Sequence, residues 1–340
     1  MNVKKLAAVL AASAIAVTAV TVTAFAAGTK VPITEKYFPD ENFREYVAEN
    51  FDTDGNGYLS KEERKAVTTI IVMNSKIDSL KGIEYFINLN YLQCCRNKLT
   101  LLDVSKNTKL ESLDCSDNKL TVLDISKNKK LRNLECNRNK LTKLDLSKNT
   151  RLDFLDCSFN MLTVLETQKN KKLDILICYG NELTKLNITQ NTKLTDLNCD
   201  SNSLTELDTS QNLKLTDLDC ENNNITALDV SKNTKLKHLD CENNNLTVVD
   251  VSKNTALEYL DCGSNNLTVL DVSKNSELKT LFCNSNQLTS LDVSNNPELE
   301  VLVIIANNIT KIDISKNIKI DPNDGRMRSY LGDNDVEIIK

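Results

Sequence analysis

A period of 21 residues is the feature that most constrains this chain. Ten cysteines fall at positions 94, 115, 136, 157, 178, 199, 220, 241, 262 and 283, and every interval is 21 residues. Leucines keep the same period, so that columns of apolar residues recur in register from Leu89 to Leu299. Self-similarity at a period of about 20 to 50 residues is typical of a solenoid. In such a fold each unit buries its apolar face only by stacking against its neighbours.

One unit reads Leu110-x-x-Leu113-x-Cys115-x-x-Asn118-x-Leu120. It matches the leucine-rich repeat pattern L-x-x-L-x-L-x-x-N/C-x-L, with cysteine at the third apolar position. A divergent 22-residue unit begins at Val67, and twelve units cover residues 67–319. The unit predicts one short strand, over residues 112–116, followed by a return turn. The predicted fold class is an α/β repeat solenoid: a leucine-rich repeat horseshoe with a parallel concave β-sheet and a helical N-terminal cap.

Two asparagine columns accompany the leucines, one running from Asn97 to Asn307 and the other from Asn107 to Asn317. Where the chain turns away from each strand, backbone N–H and C=O groups lose their partners in the sheet. An amide side chain carries both donors and an acceptor, so a stacked column of amides can satisfy these groups. Both columns are therefore predicted to be structural.

The cysteine column is predicted to consist of buried free thiols. Cysteine is a small, readily buried side chain. Stacked side chains leave their parallel strands in the same direction, whereas a disulfide requires two of them to turn toward each other. A straight column also cannot surround a zinc ion tetrahedrally. Cys95 follows Cys94 directly and is expected to point outward, which would make it the one reactive thiol.

Residues 1–26 are predicted to be an export signal. Lys4 and Lys5 precede an uncharged, mostly apolar stretch over residues 6–22, and Ala24-Phe25-Ala26 forms a cleavage site. An uncleaved membrane anchor is the alternative, because the stretch is long for a leader. Cleavage removes two lysines and no acid, which changes the formal net charge from −5 to −7. The predicted mature chain has no membrane span, is secreted or held at the cell surface, and does not bind nucleic acid.

The units L-T-x-L-D-V-S-K-N-T-x-L-x-x-L-x-C-x-x-N resemble those of exported leucine-rich repeat proteins of Gram-positive bacteria, of which internalins are the best known. The unit around Ile77-Asp78-Ser79-Leu80 is the most similar to the internalin form, and the resemblance covers about residues 67–319. It implies a secreted or surface binding protein with a helical cap before its repeats. No L-P-x-T-G sorting motif is found near the C-terminus, so the means of retention at a surface stays open.

Residues 27–66 are predicted to form the cap, with an EF-hand-like loop between two helices. Residues 52–63 read Asp-Thr-Asp-Gly-Asn-Gly-Tyr-Leu-Ser-Lys-Glu-Glu, which matches the EF-hand loop. This pattern predicts one structural calcium ion, held by oxygens of Asp52, Asp54, Asn56, Tyr58 (carbonyl), Ser60 (through water) and Glu63. Because Arg64 stands where an apolar residue is usual and the loop has no second copy, a polar turn between two cap helices is the alternative.

The middle residue of each predicted strand points outward on the concave face. Six of these eight residues between positions 114 and 261 are acidic. Like charges about 5 Å apart repel by about 0.8 kcal/mol even in water, and a cationic partner would relieve that cost. Apolar residues of two neighbouring units interrupt the column, and aromatic side chains favour binding hot spots. The predicted ligand-binding residues are Asp156, Phe154, Phe159, Ile175, Ile177, Tyr179, Asp196, Asp217, Asp219, His238, Asp240 and Asp261.

The sequence thus predicts an exported protein that binds a basic extracellular protein or glycan. Solvated faces that only keep the chain soluble are the alternative interpretation of the charges, and divergence of one repeat would equally explain the apolar cluster. A self-assembling component of the cell envelope is the second candidate function, and the oligomeric state stays open. An enzyme is disfavoured, because His238 is the only histidine and has no nucleophile in a suitable context. Residues 320–340 are expected to cap the last repeat.

Overall fold

The computed structural model describes residues 30–321, 330–331 and 336–340. The predicted export signal over residues 1–26 lies outside the described residues, as do residues 322–329 and 332–335 of the predicted C-terminal cap. No helix among the residues described has the length and apolar character needed to cross a membrane.

The predicted solenoid with its parallel sheet is confirmed. Twelve strands pair in parallel and follow one another in chain order, without a crossover. Each is three residues long: β3 (Thr69–Ile71), β4 (Tyr91–Gln93), β5 (Ser112–Asp114), β6 (Asn133–Glu135), β7 (Phe154–Asp156), β8 (Ile175–Ile177), β9 (Asp196–Asn198), β10 (Asp217–Asp219), β11 (His238–Asp240), β12 (Tyr259–Asp261), β13 (Thr280–Phe282) and β14 (Val301–Val303). The strand around Leu113 is shorter than the expected 112–116. Beyond it the Cys115 and Asp117 N–H groups still donate to the next repeat, and an asparagine side chain bonds the carbonyls of Cys115 and Ser116.

That asparagine is Asn118, and its contacts confirm the structural interpretation of the inner amide column. Its Oδ1 accepts from the Leu99 N–H of the preceding repeat at 2.9 Å. Its Nδ2 donates to the Cys94 carbonyl at 3.0 Å and to the Cys115 carbonyl at 3.1 Å. One amide therefore satisfies backbone groups of two repeats at the point where each strand ends.

The second amide column ties the outer turns together in the same way. Asn128 Nδ2 donates to the Val104 carbonyl at 3.0 Å and to the Asn107 carbonyl at 2.9 Å. On the approach to each turn an aspartate orders the backbone, as where Asp124 Oδ1 accepts from the Ser126 N–H at 2.9 Å. The turns of successive repeats are thus in direct contact and share one register.

The core between sheet and turns is built from the leucine and cysteine columns. Leu113 and Cys115 are completely buried, whereas Ser112, the first residue of the same strand, is half-buried. All ten cysteines of the column are free and buried, as predicted. Burial raises the pKa of the Cys115 thiol far above its usual range, so the column is chemically inert.

The expectation that Cys95 is an exposed, reactive thiol is wrong. Its side chain is only 6% exposed, and burial, helped by a hydrogen bond to Asp114, raises the pKa of its thiol to about 12. The side chain lies beside Asp114 and outside the apolar core, as alternation predicts, but neighbouring side chains cover it. Small side chains at this position lie between larger neighbours, and Ser116 and Ser158 are buried there as well.

The N-terminal cap consists of β1 (Val31–Pro32), helix α1 (Glu41–Phe51), β2 (Tyr58–Leu59) and helix α2 (Lys61–Ala66). The two short strands pair antiparallel. Asp40 joins the cap to the first repeat: one carboxylate oxygen caps α1 by accepting from the Phe43 N–H at 3.0 Å, and the other accepts from the Asp78 N–H at 2.7 Å. The side chains of Val31, Phe43 and other cap residues belong to the same core as the repeats.

The cap also protects the open edge of the sheet. The Ile71 N–H of edge strand β3 donates to the Tyr46 hydroxyl of α1 at 3.2 Å, and covering an edge in this way prevents unwanted pairing. Phe38 lies against Gly82, whose φ of 107° requires glycine and whose missing Cβ would come within 2.3 Å of the Phe38 ring. A short 3-10 helix over Ile83–Tyr85 follows directly.

At the other end, β15 (Lys311–Asp313) pairs in parallel with β16 (Glu337–Ile339). The Ile304 N–H, which would be free at the edge of the last repeat, donates to the Tyr330 carbonyl at 2.9 Å. Leu331 is completely buried. Described residues of the C-terminal segment therefore lie against the last repeats.

Candidate functional site

The concave face is formed by the first and third residues of each strand, such as Asp217 and Asp219 of β10, because the middle residue is a leucine that faces the core. The parallel register places Asp219 beside Asp240 and Asp240 beside Asp261. In the adjacent column Asp196 lies beside Asp217, and Asp217 lies beside His238. Stacking at a fixed register thus brings residues that are 21 positions apart into contact, and six of the predicted binding residues form one patch over β9 to β12.

Apart from the exposed Asp217, the carboxylates of this patch are partly or largely buried, and they lie close to one another. Burial, followed by the charge of Asp240, raises the pKa of Asp219 to about 7. Burial also raises the pKa of Asp261 to about 7 and that of Asp240 to about 6, and the flanking Glu221 reaches about 7 for the same reason. Within the described part of the chain, none of these four carboxylates has a lysine or arginine within ion-pair distance.

An aromatic group borders the acidic patch. The imidazole of His238 stacks on the Tyr259 ring, with 4.2 Å between centroids and 7° between planes. Phe282 meets Tyr259 edge-on at 5.8 Å. Burial lowers the pKa of His238 against the opposing effect of Asp217 and Asp196, so the imidazole is neutral near pH 7 and does not compensate the carboxylates.

A second group lies over β7 and β8 and is called here the apolar island: Phe154, Phe159, Ile175, Ile177 and Tyr179. Phe154 pairs with Ile175 in the sheet. Beyond the strand ends, the rings of Phe159 and Tyr179 meet edge-on at 4.8 Å. All five side chains of the island retain exposure to solvent, and Phe159 is 40% exposed.

The backbone at Phe159 is in an unusual conformation for a bulky residue. Its φ is 49°, in the left-handed region that favours glycine. Every repeat from Arg96 onward has this conformation at the corresponding position, and the single glycine among them is Gly180 in the next repeat. A Cβ on Gly180 would come within 2.8 Å of the Phe159 ring, so Gly180 leaves the space that the ring occupies.

The structure thus groups the predicted ligand-binding residues in two places. The apolar island is continuous, and Asp156 adjoins it beside Ile177. Ile177 and Asn198 then separate Asp156 from the acidic patch. Their role in binding stays a prediction.

Three residues that contact these two groups were not identified from the sequence: Arg138, Gly180 and Tyr259. The Arg138 guanidinium lies 4.3 Å from the centre of the Phe159 ring, a cation–π distance. Tyr259 stands 21 residues after His238, and its place in the same column is the signal that could have identified it. The contact of Arg138 with Phe159 had no such signal, because it depends on the side-chain directions after each strand.

The predicted calcium loop places three carboxylates together in the cap. One oxygen each of Asp52, Asp54 and Glu63 lie within 4.8 Å of one another. The Gly57 N–H donates to Asp52 Oδ2 at 2.8 Å, and the Tyr58 N–H donates to Asn56 Oδ1 at 2.9 Å. These bonds fold the loop so that its oxygens converge, and hard oxygen donors in this number fit calcium.

Glu63 also takes part in capping helix α2. It forms a capping box with Ser60 at the start of α2: its Oε2 accepts from the Ser60 N–H at 2.8 Å, and the Glu63 N–H donates to Ser60 Oγ at 3.1 Å. Burial acts to raise the pKa of Glu63, but hydrogen bonds from Thr53 and Ser60 outweigh it and lower the pKa to about 2. The carboxylate is therefore ionised and oriented at neutral pH.

Comparison with known proteins agrees with this architecture, although no family model matches the sequence. Over 72 residues the chain is 38% identical to Internalin J of Listeria monocytogenes serotype 4b (strain F2365), a match that spans 21% of this chain and 8% of that relative. The solved functional domain of InlJ from Listeria monocytogenes, described as including a cysteine ladder, is 41% identical with a TM-score of 0.83, over 86% of this chain and 66% of that one. An internalin, InlF of strain 4b F2365, shares the fold at 24% identity and a TM-score of 0.73, over 86% and 97% of the two chains.

Proposed function

Because this chain is an internalin-like leucine-rich repeat protein of the bacterial type, we propose that it is an exported binding protein whose concave face recognises a basic extracellular protein. The observation that carries the proposal is the acidic patch beside the apolar island on one continuous sheet face. The relatives named above are internalins rather than enzymes, which points away from catalysis. The match with the curated relatives spans a small part of their length, so the partner is inferred from the face itself.

Electrostatics supports a cationic partner. Asp219, Asp240 and Asp261 stand on adjacent strands, and no lysine or arginine among the described residues lies within ion-pair distance of them. Their raised pKa values reflect the cost of holding charge there. A lysine or arginine of a partner would remove part of that cost and would form charge-assisted hydrogen bonds. The stacked rings of His238 and Tyr259 add a surface on which a guanidinium can lie.

The apolar island supports a protein rather than a simple cation. Exposed aromatic and aliphatic side chains near the centre of a polar face are typical of binding hot spots. The Phe159 side chain stays 40% exposed, and Gly180 in the next repeat leaves the space that its ring occupies. The acidic patch would give specificity and association rate, and the island would give most of the affinity.

The test is binding of the purified protein to arrays of extracellular proteins and glycans, repeated with two variants. The first combines Ile177→Ser with Tyr179→Ser, and Val164→Ser serves as its control because Val164 is 61% exposed in the neighbouring repeat, outside the concave face. The second combines Asp219→Asn with Asp240→Asn. Its control makes the same change of charge on the outer turns, with Asp250→Asn and Asp271→Asn.

We expect both concave variants to lose the protein ligand and both controls to keep it. The acidic variant should also show a weaker salt dependence, because fewer charges take part. A ligand that binds all four variants with unchanged affinity would refute recognition by the concave face.

For the cap we propose a single structural calcium ion on the loop of residues 52–63. The ion would join α1 to α2 and so stabilise the cap over the first repeat. A ligand that binds only the folded state stabilises it by about 2.7 kcal/mol at a concentration 100 times its dissociation constant.

The calcium proposal is tested by thermal unfolding in calcium and in chelator. Glu63→Gln removes one predicted ligand, and Glu62→Gln is the matched control because Glu62 is the exposed neighbour on the same helix. Calcium should raise the unfolding temperature of the wild type and of Glu62→Gln, and it should leave Glu63→Gln unchanged. Since Glu63→Gln also weakens the capping box, only the difference between calcium and chelator is compared. Equal increments in all three proteins would refute the assignment.

A further inference from the structure

The outer turns of four consecutive repeats carry an unusual concentration of positive charge. Residues 105–109, 126–130, 147–151 and 168–172 contain no acidic residue and ten basic ones: Lys106, Lys109, Lys127, Lys129, Lys130, Lys148, Arg151, Lys169, Lys171 and Lys172. All ten are exposed. Among the described residues none of the ten forms an ion pair. One of them makes a side-chain hydrogen bond there: Lys109 Nζ donates to Asn88 Oδ1 at 2.7 Å. We call this surface the basic lattice.

The asparagine column fixes the spacing of the lattice. A lysine directly precedes the buried asparagine in each turn, as Lys148 precedes Asn149. Asn149 Nδ2 donates to the Asn128 carbonyl at 2.9 Å and to the Ile125 carbonyl at 3.0 Å. Adjacent turns are therefore about 5 Å apart, as strands are, and the four rows extend over about 15 Å. A ligand that binds them orders only side chains, because the backbone is already held.

The lattice has defined borders. The next two turns each keep one basic residue, because Gln190 and Gln211 replace the lysine that precedes the asparagine. In later turns Glu277 and Glu298 replace the basic residue that follows the asparagine. On one flank runs the column of Asp103, Asp124 and Asp145, whose carboxylates accept backbone N–H groups of their own turns. Glu166 continues this column beside the fourth turn. Ten cations beside these four acids still leave a strongly positive surface on the side of the solenoid away from the acidic patch.

We propose that the basic lattice binds a linear sulfated glycan. Rows of exposed cations on an open surface match a chain that carries anions at regular intervals along its length, and release of its counterions would supply the affinity, as it does for other polyanions. Single-stranded nucleic acid needs aromatic side chains for stacking, and the four turns contain none. Threonine and serine hydroxyls between the lysines can bond to sugar hydroxyls instead.

Binding there would leave the concave face free. The glycan would hold the protein by its outer turns, and the acidic patch and apolar island would face away from the glycan toward a second ligand. The two ligands also cannot exchange sites, since the acidic patch repels a polyanion. This inference is independent of the proposed function, because it uses other residues and another kind of partner.

The test measures binding of a heparin decasaccharide to the purified protein at about 50 mM and about 200 mM salt. The lattice variant combines Lys127→Gln, Lys130→Gln, Lys148→Gln and Lys169→Gln. The matched control combines Lys232→Gln, Lys235→Gln, Lys253→Gln and Lys274→Gln, which occupy the same positions in later turns and change the net charge equally. All eight are exposed, so both variants should fold.

We expect the lattice variant to lose about tenfold or more in affinity at the lower salt and to show a smaller salt dependence, whereas the control changes affinity by less than about threefold. Equal losses in both variants would mean attraction by overall charge and would overturn the proposal, as would no binding by the wild type. Two competitors complete the test: thymidine oligonucleotides and vesicles of anionic phosphatidylglycerol. If either binds the lattice as tightly as heparin does, the assignment to a glycan is wrong.

Discussion

Thr209 and its neighbour Asn233 offer a sharp test of how the buried amides are satisfied. In the second asparagine column, nine Oδ1 atoms are buried without a hydrogen-bond partner, among them that of Asn275. Asn233 is an exception, because the Thr209 hydroxyl donates to its Oδ1 at 2.7 Å. Most repeats have valine, isoleucine or leucine at the position of Thr209, and Val251 is the residue that faces Asn275 in the same way. Threonine and valine have nearly the same shape, so exchanging them isolates the hydrogen bond.

Two effects oppose each other in Thr209→Val. The added methyl gains about 0.8 kcal/mol of apolar burial. The Asn233 acceptor that remains buried and unpaired costs about 1–3 kcal/mol, a figure that already includes the lost hydrogen bond. We therefore expect Thr209→Val to destabilise by about 1–2 kcal/mol, although it makes the core more apolar. In Val251→Thr both contributions to the free energy of unfolding have the opposite sign, so the change should leave stability unchanged or raise it by about 1 kcal/mol.

Equilibrium unfolding in urea, with equal slopes for the variants, gives these differences directly. Val249→Thr is the control, because Val249 lies in the neighbouring leucine column, where no repeat has a hydroxyl; it should cost about 1–3 kcal/mol. If Thr209→Val proves more stable than the wild type while Val251→Thr is as damaging as Val249→Thr, apolar burial decides and the reasoning from hydrogen bonds is refuted.

Three further predictions concern the cap, the acidic patch and the thiols. Gly82→Ala should destabilise by about 2 kcal/mol or more, because the left-handed φ and the contact with Phe38 both oppose a Cβ; a thermal midpoint equal to the wild type would contradict this. The pKa of Asp240, raised to about 6, contributes stability at low pH that is lost as the pH rises through that value. Asp240→Asn should therefore match the wild type at about pH 4 and be more stable at about pH 7.5, and melting curves that differ equally at both would disprove it. Finally, Cys95 should react with a thiol reagent no faster than global unfolding permits, since burial raises its pKa to about 12; labelling in seconds under native conditions would show the thiol to be accessible.

Asp240→Asn has a precedent inside the molecule, which makes its outcome informative. Asn198 occupies the same column, and its Oδ1 accepts from the Asp200 N–H at 3.1 Å. Asp240 Oδ1 accepts from the Glu242 N–H at the same distance. The substitution thus keeps the local turn and removes only the charge.

Much of the fold could be predicted because the repeat is regular. Fixed spacing determines which residues share a column, and alternation determines that Leu113 faces the core and Asp114 the concave side. The same reasoning did not predict that Cys95 is buried, because alternation gives the side of the sheet on which a residue lies and not whether its neighbours cover it. Burial on the concave side depends on the size of the side chain and on its neighbours.

The candidate site shows the same division. Asp219, Asp240 and Asp261 could be grouped from their spacing alone, since a parallel register brings equivalent residues together. The contact of Arg138 with Phe159 and the space left by Gly180 could not, because a left-handed backbone turns these side chains out of the columns.

The sequence by itself determined the solenoid, the amide columns and the two signs of charge on its opposite sides, because all three follow from a periodic pattern and local geometry. Only the tertiary structure decided which carboxylates are partly buried, which rings stack, that Asp40 and Phe38 join the cap to the first repeat, and that Thr209 reaches Asn233. These are contacts between residues far apart in the chain or between side chains free to point several ways. Their energies depend on distance and surroundings, and a repeat pattern does not encode either.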